Sequence, residues 1–215
     1  MIIDLHCHSV HSDDSLLSFE EIARQSREKG IDGVCITDHE IFADSNVLEE
    51  LESISNQINI RIFEGAEINT DVGHIITFGI KEYKFGMHNL KFLYEQVAIN
   101  KGAMIWAHPY RRIINDNETM TPEEFQKRLD QTAKSEIFNY VDAIEVNNGR
   151  GSDFQNHFSK KLAQLTRSKM TGASDCHLTK DIGTWATEFE RDDIVNTTQL
   201  IYEIKKGKYK PLKID

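Results

Sequence analysis

Short apolar runs alternate with stretches of helical period along this chain. The runs, rich in Ile and Val, cover residues 2–5, 33–36, 60–63, 75–80, 104–107, 141–146 and 170–173. Their length suits buried strands. Between them, "SFEEIARQSREKG", "NVLEELESI", "NLKFLYEQVAINKG", "TPEEFQKRLDQTAKS" and "DFQNHFSKKLAQLTRS" place apolar residues at steps of three and four, the spacing of an amphipathic helix. Ser18 before Phe19-Glu20-Glu21 and Thr121 before Pro122-Glu123-Glu124 are N-cap signals, and Gly30 and Gly102 are C-cap signals.

Seven strands separated by helices predict an α/β fold with a mostly parallel sheet. Seven such units in 215 residues favour closure into a small, TIM-like β/α barrel. One interval breaks the pattern: six residues between Glu67 and His74 are too few for a crossover helix. The third and fourth strands are therefore expected to form a hairpin around Thr70-Asp71-Val72-Gly73, distorting the barrel. One domain over residues 1–215 is expected.

Composition changes this picture little. Hydrophobic residues at 39% and charged residues at 28% suit a packed core. The longest apolar runs are too short to span a bilayer, and "MIIDLHCH" has no basic, cleavable leader, so a cytoplasmic location is expected. Three cysteines in such a chain do not make a disulfide framework, and Cys7, Cys35 and Cys176 read as small core residues. A formal charge of −10 disfavours a protein that grips long nucleic acid, yet leaves room for a short phosphorylated ligand held by metal ions.

The chemistry lies where strands end. After or beside the runs come His6 and His8, then "TDHE", "EGAE", "AHPY", "VNNGR" and "SDCH". In a β/α barrel these C-terminal strand ends share one mouth. Six histidines (His6, His8, His39, His74, His108, His177) and three carboxylates (Asp13, Glu67, Asp175) are expected there. Imidazole and carboxylate without convergent thiolates suit Zn, Mn or Fe in a catalytic site. Strand alternation puts His6 and His8 on one face and Cys7 on the other. His88 and His157 fall on or beside predicted helices and are read as non-ligands, while His11 is a candidate substrate contact. Arg111 and Arg150 follow the fifth and sixth strands, where either can reach a phosphate with paired N–H bonds.

"DLHCHSVHSD", "TDHE", "GAEI", "GHI", "AHP" and "SDCH" resemble, in that order, the motifs of the PHP (polymerase and histidinol phosphatase) superfamily, metal-dependent phosphoesterases on a distorted seven-stranded β/α barrel. Carried over by position, the resemblance implies one metal on His6, His8, Glu67 and Asp175, a second on Glu67, His74 and His108, and a third on Asp13, His39 and His177. Glu67 would bridge the first two, and Asp14 would be a turn residue. Two to three divalent ions (Mn, Fe or Zn) are implied, with Glu67, Asp175 and Arg111 in catalytic roles. Such a site would cleave a small phosphorylated substrate (a phosphomonoester, nucleotide or short oligonucleotide) with a metal-bridged hydroxide. Three divalent ions, three carboxylates and one hydroxide leave two positive charges, which a phosphomonoester dianion neutralises. Some nucleotide- and RNA-acting relatives carry an inserted domain, but the 33 residues between His74 and His108 leave no room for one. The competing readings are an amidohydrolase-like hydrolase and a non-catalytic metal-binding module.

Overall fold

The computed structural model describes residues 1–114 and 120–214. In chain order they form β1 (Ile2–Cys7), α1 (Phe19–Glu28), β2 (Gly33–Ile36), α2 (Ser45–Ile58), β3 (Arg61–Glu64), β4 (Ala66–Thr70), β5 (Gly73–Phe78), α3 (Leu90–Ile99), β6 (Ala103–Trp106), α4 (Pro122–Thr132), β7 (Ala143–Asn148), α5 (Asp153–Thr166), β8 (Met170–Ala173), β9 (Trp185–Phe189), α6 (Thr197–Lys206) and β10 (Tyr209–Lys213). The five expected helices form where the pattern puts them. In α1 the Ser18 hydroxyl accepts from the Glu21 amide, and Phe19, Ile22, Ala23 and Ser26 make the buried stripe. In α4, Thr121 and Glu124 close a capping box around Pro122. A further helix, α6, lies beyond the last apolar run.

The expected seven-stranded barrel is corrected by the sheet topology. Ten strands make two mixed five-stranded sheets, ordered β10-β9-β1-β2-β3 and β4-β5-β6-β7-β8, and no closed barrel is detected among the described residues. At one end, β9 pairs antiparallel with β1 at Ile2 and Ile3, occupying the edge that β8 would need. β8 therefore approaches β1 only beyond that pairing, through an isolated bridge between Cys7 and Cys176. At the other end the chain steps from β3 to β4 through Gly65 with no crossover, and the sheets meet in a second isolated bridge, between His39 and Glu67.

The hairpin forms with the expected turn, but its first strand is β4 rather than the run at 60–63. β4 and β5 pair antiparallel from Ala66 opposite Thr77 to Thr70 opposite Gly73. Two β-bulges re-aim side chains near the strand ends: the register slips by one residue between Asp4 and Cys7 in β1, and between Glu145 and Asn147 in β7. Apolar clusters fill the space under the sheets, with Phe63, Phe78 and Phe158 fully buried. Each such ring contributes about 1.5–3 kcal/mol by leaving water. Among the described residues, no helix is long and apolar enough to cross a membrane.

Candidate metal centre

Both bridges between the sheets carry candidate ligands. Cys7 is flanked by His6 and His8, Cys176 by Asp175 and His177, and the other bridge sets His39 against Glu67. β5 adds His74, and the end of β6 adds His108. The backbone is bent to aim two of these side chains: His108 has φ 27° and Asp175 φ 52°, both in the left-handed region that non-glycine residues occupy at a cost. Gly149 permits the close passage of the chain after β7, because a side chain there would collide with the Ser174 carbonyl and the Thr184 hydroxyl.

Glu67 is the centre of the cluster. Fully buried, its carboxylate lies 3.4 Å from His6 Nε2, 3.3 Å from His8 Nε2, 3.1 Å from His39 Nδ1, 2.9 Å from His74 Nδ1 and 3.0 Å from His108 Nε2. Asp175 Oδ1 lies 3.5 Å from both His6 Nε2 and His8 Nε2, which are 3.0 Å from each other. Atoms bound at about 2.1 Å to one cation are separated by about 3.0–3.4 Å, so these contacts have the spacing of a metal's ligands. Glu67 Oε2 and Asp175 Oδ1 are buried with no hydrogen-bond partner among the described residues. A bound cation among these imidazoles would supply the partner such atoms lack.

Hydrogen bonds behind the rings fix which nitrogens face inward. His6 Nδ1 donates to Glu145 Oε1 at 3.0 Å. Ser12 Oγ donates to Asp38 Oδ1 at 2.8 Å and so accepts from His8 Nδ1 at 3.2 Å. Each arrangement turns Nε2 toward the centre. With both Nδ1 atoms donating, the two neutral rings would face each other with lone pairs at 3.0 Å, an arrangement relieved by a proton or a cation between them. His108 Nε2 lies 3.0 Å from both Glu67 Oε1 and Arg111 Nη1, so the same ring nitrogen faces the carboxylate and the guanidinium.

The electrostatics agree. Burial raises the Glu67 carboxyl, but His6 and the hydrogen bonds from His108, His6 and His74 hold it well below the usual range. Burial likewise raises Asp175, and His6, His108 and Arg111 outweigh it. Burial lowers His6, yet Asp175, Glu67 and Glu145 raise it well above an ordinary imidazole. The field there calls for positive charge, which a proton or a metal ion supplies equally.

A second group gathers His8, Asp14, His39 and His177. The acid here is Asp14, with Oδ2 at 2.9 Å from His177 Nε2 and 3.4 Å from His39 Nε2. Asp13, the residue expected, is exposed and lies outside this group. The turn after β1 has presented the next residue along. His11 lies outside the ligand groups, its ring stacked on Phe19 at 5.0 Å.

Both arginines reach the cluster. Arg111 Nη2 donates to Asp175 Oδ2 at 2.7 Å, and Arg150 Nη1 lies 2.9 Å from His177 Nδ1. Together with Asp14, His39, His74 and Tyr110 they line a cleft of about 460 Å³. Glu145, Asp38, Ser12 and Asn148, which hold the ligands in place, are absent from the expected site. Glu145 had a signal, a lone acid inside the apolar run 141–146, and Asp38 and Asn148 lie in the strand-end motifs "TDHE" and "VNNGR". His88 and His157 lie against Phe85 and Phe125 and outside the ligand groups.

The PHP domain family model matches residues 4–195. A protein of Caldicellulosiruptor bescii named "Probable phosphatase" is 28% identical over 202 residues, covering 84% of this chain and 82% of that protein. PsfC from Pseudomonas syringae superposes with a TM-score of 0.65 at 16% identity, over 99% of this chain and 91% of PsfC. A Chromobacterium violaceum protein titled an amidohydrolase, with bound sulfate and no metal, superposes with a TM-score of 0.60 at 16% identity over 98% and 97%. At such identities the two structures share the fold alone.

Proposed function

Because the chain belongs to the PHP domain family, we propose that it is a metal-dependent phosphoesterase that hydrolyses a small phosphorylated substrate: a phosphomonoester, a nucleotide or a short oligonucleotide. The observation that carries this reading is the gathering of five imidazoles within 3.4 Å of one buried carboxylate that still has an unpartnered oxygen. The name of the Caldicellulosiruptor relative supports hydrolysis of phosphate esters.

Two to three Mn, Fe or Zn ions would be held by His6, His8, Glu67 and Asp175, by Glu67, His74 and His108, and by Asp14, His39 and His177. When bound, such ions supply a nucleophile from water near neutral pH and charge to offset the phosphoryl oxygens. Arg111 and Arg150, at the wall of the cleft, exchange their contacts to Asp175 and His177 for the substrate phosphate, which offers better paired acceptors. Burial lowers Arg111, but Asp175 outweighs it, so Arg111 stays cationic throughout. The small cleft and the charge of −10 favour a short ligand over a long polyanion. No lysine lines this cleft among the described residues, which counts against an amidohydrolase site bridged by a modified lysine. The three free, buried cysteines fit a reducing, cytoplasmic setting, and we read residues 1–215 as one domain.

The purified protein is expected to carry two to three transition-metal ions per chain by elemental analysis. Chelation should abolish hydrolysis of phosphomonoesters or dinucleotides, and Mn should restore it. Metal-free protein with chelator-insensitive activity, or cleavage confined to cyclic amides, would overturn the reading. Cys7→Ala and Cys176→Ala should each leave the metal count unchanged, because Cys7 and Cys176 both belong to the apolar cluster around Leu17, Ile22 and Val34. His8→Ala and His177→Ala should each lower it. Metal loss in the cysteine variants at unchanged folding would put the thiols in the site.

A further inference from the structure

Resting on the metal reading above, we propose that Glu145 is a positioning residue that sets the tautomer of His6 and ties His6, His108 and Asp175 into one unit. Its side chain is 1% exposed. Oε1 accepts from His6 Nδ1 at 3.0 Å, and Oε2 accepts from the His108 backbone amide at 2.8 Å and from Asn148 Nδ2 at 2.9 Å. The same Asn148 amide nitrogen donates to Asp175 Oδ2 at 3.0 Å. One carboxylate thus orients two ligands from the first sheet's end and the β6 end, and a third through Asn148.

Glu145 lies close enough to His6 and His108 to be mistaken for a ligand itself. Its oxygens are already occupied by N–H groups, and His6 presents to it the nitrogen opposite the one that faces His8 and Glu67. Its work is to hold hydrogen on His6 Nδ1, which keeps the lone pair of Nε2 directed at the ion. The bulge between Glu145 and Asn147 lets Glu145 and Asn148 point to the same side although they are three residues apart, where an even strand would oppose them.

Glutamine is the closest match in shape, and the geometry makes it a poor substitute. The two partners of Oε2 are both N–H donors, so the amide oxygen must take that place. The amide nitrogen then faces His6 Nδ1, which can accept only by moving its hydrogen to Nε2, the ligand atom. Aspartate is shorter but still accepts from both sides. A residue needed only for packing would tolerate glutamine better than aspartate; a positioning carboxylate reverses that order.

The test uses zinc, which is diamagnetic, with protein labelled at histidine nitrogens. In the unaltered protein His6 should show hydrogen on Nδ1 and zinc on Nε2. Glu145→Gln should lose that signature and lower zinc affinity by about 10–100-fold in competition with a chromophoric chelator. Glu145→Asp should keep the signature and most of the affinity. Zinc on Nδ1 of His6, unchanged affinity in Glu145→Gln, or a milder effect of Gln than Asp would each overturn the role of Glu145 while leaving the metal site standing. Failure of the unaltered protein to bind zinc would remove the metal reading and this inference with it. Should Glu145→Gln not fold, the spectrum of the unaltered protein and the Asp variant decide.

Discussion

Glu67→Gln is expected to lower turnover of a phosphomonoester by at least about 100-fold, the scale for removing a charge-stabilising group from a catalytic centre. It should leave about one metal ion per chain. The substitution keeps volume and shape, and the side chain is fully buried among imidazoles, so the fold has no cavity to absorb. What changes is chemistry. One oxygen becomes an NH₂ group that donates to imidazole nitrogens in place of a cation, satisfying the rings while removing the ligand. His6, His8, His74 and His108 all lose their shared partner, within 3.4 Å in each case. The group at Asp14, His39 and His177 keeps its own acid and should hold its ion. Elemental analysis beside a steady-state assay checks both halves. Full turnover at full metal content would show that Glu67 is not the shared ligand.

That eight of the nine expected residues meet in one cluster, all but Asp13, depends on where they sit in the chain. Most of the candidate ligands lie beside the end of an apolar run, and such runs are the strongest signal in a sequence. The motifs at His6 and His8, His39, His108 and Asp175 needed only strand ends to be located. Topology was less visible. β9 and β10, with sequences WATEF and YKPLK, mix polar and half-buried positions and carry no continuous apolar run. Yet β9 decides the sheet order by occupying the edge of β1. β4, sequence AEINT, was hidden because a buried glutamate and a threonine interrupt its apolar positions.

The bulges explain a second class of omission. Alternation assigns faces correctly until one residue is inserted, and then every later side chain changes side. Glu145 and Asn148 cannot both face the centre on a regular strand, so no count by twos finds them. The supporting shell is also made of ordinary residue types, Ser12 and Asp38 among them, whose roles depend on a fold-made contact such as Ser9 amide to Asp38 Oδ1 at 2.6 Å. Local sequence holds no trace of that distance.

Asp13 and Asp14 give the sharpest case, because one step along a turn exchanges ligand for bystander. Asp14→Asn is expected to remove the ion held with His39 and His177 and to lower turnover by about 10–100-fold, the range for losing a supporting group at a metal site. The loss should be smaller than for Glu67→Gln. The Asp14 side chain is 50% exposed, against 1% for Glu67, so solvent screens its charge, and it serves one group rather than two. Burial raises the Asp14 carboxyl, but His177, His39 and His8 together hold it below its ordinary value, marking it as the acid that faces the imidazoles. Asp13 is exposed and outside that set, so Asp13→Asn should change turnover by less than about fivefold, as expected for a solvated carboxylate. The two variants differ by one position and carry the same loss of charge, which cancels any effect on net charge or solubility. Metal counts and turnover measured side by side therefore read the turn geometry directly. Loss of an ion in Asp13→Asn with Asp14→Asn unaffected would return the ligand to the position that the motif order implies and would mean that the turn after β1 is wound one residue differently.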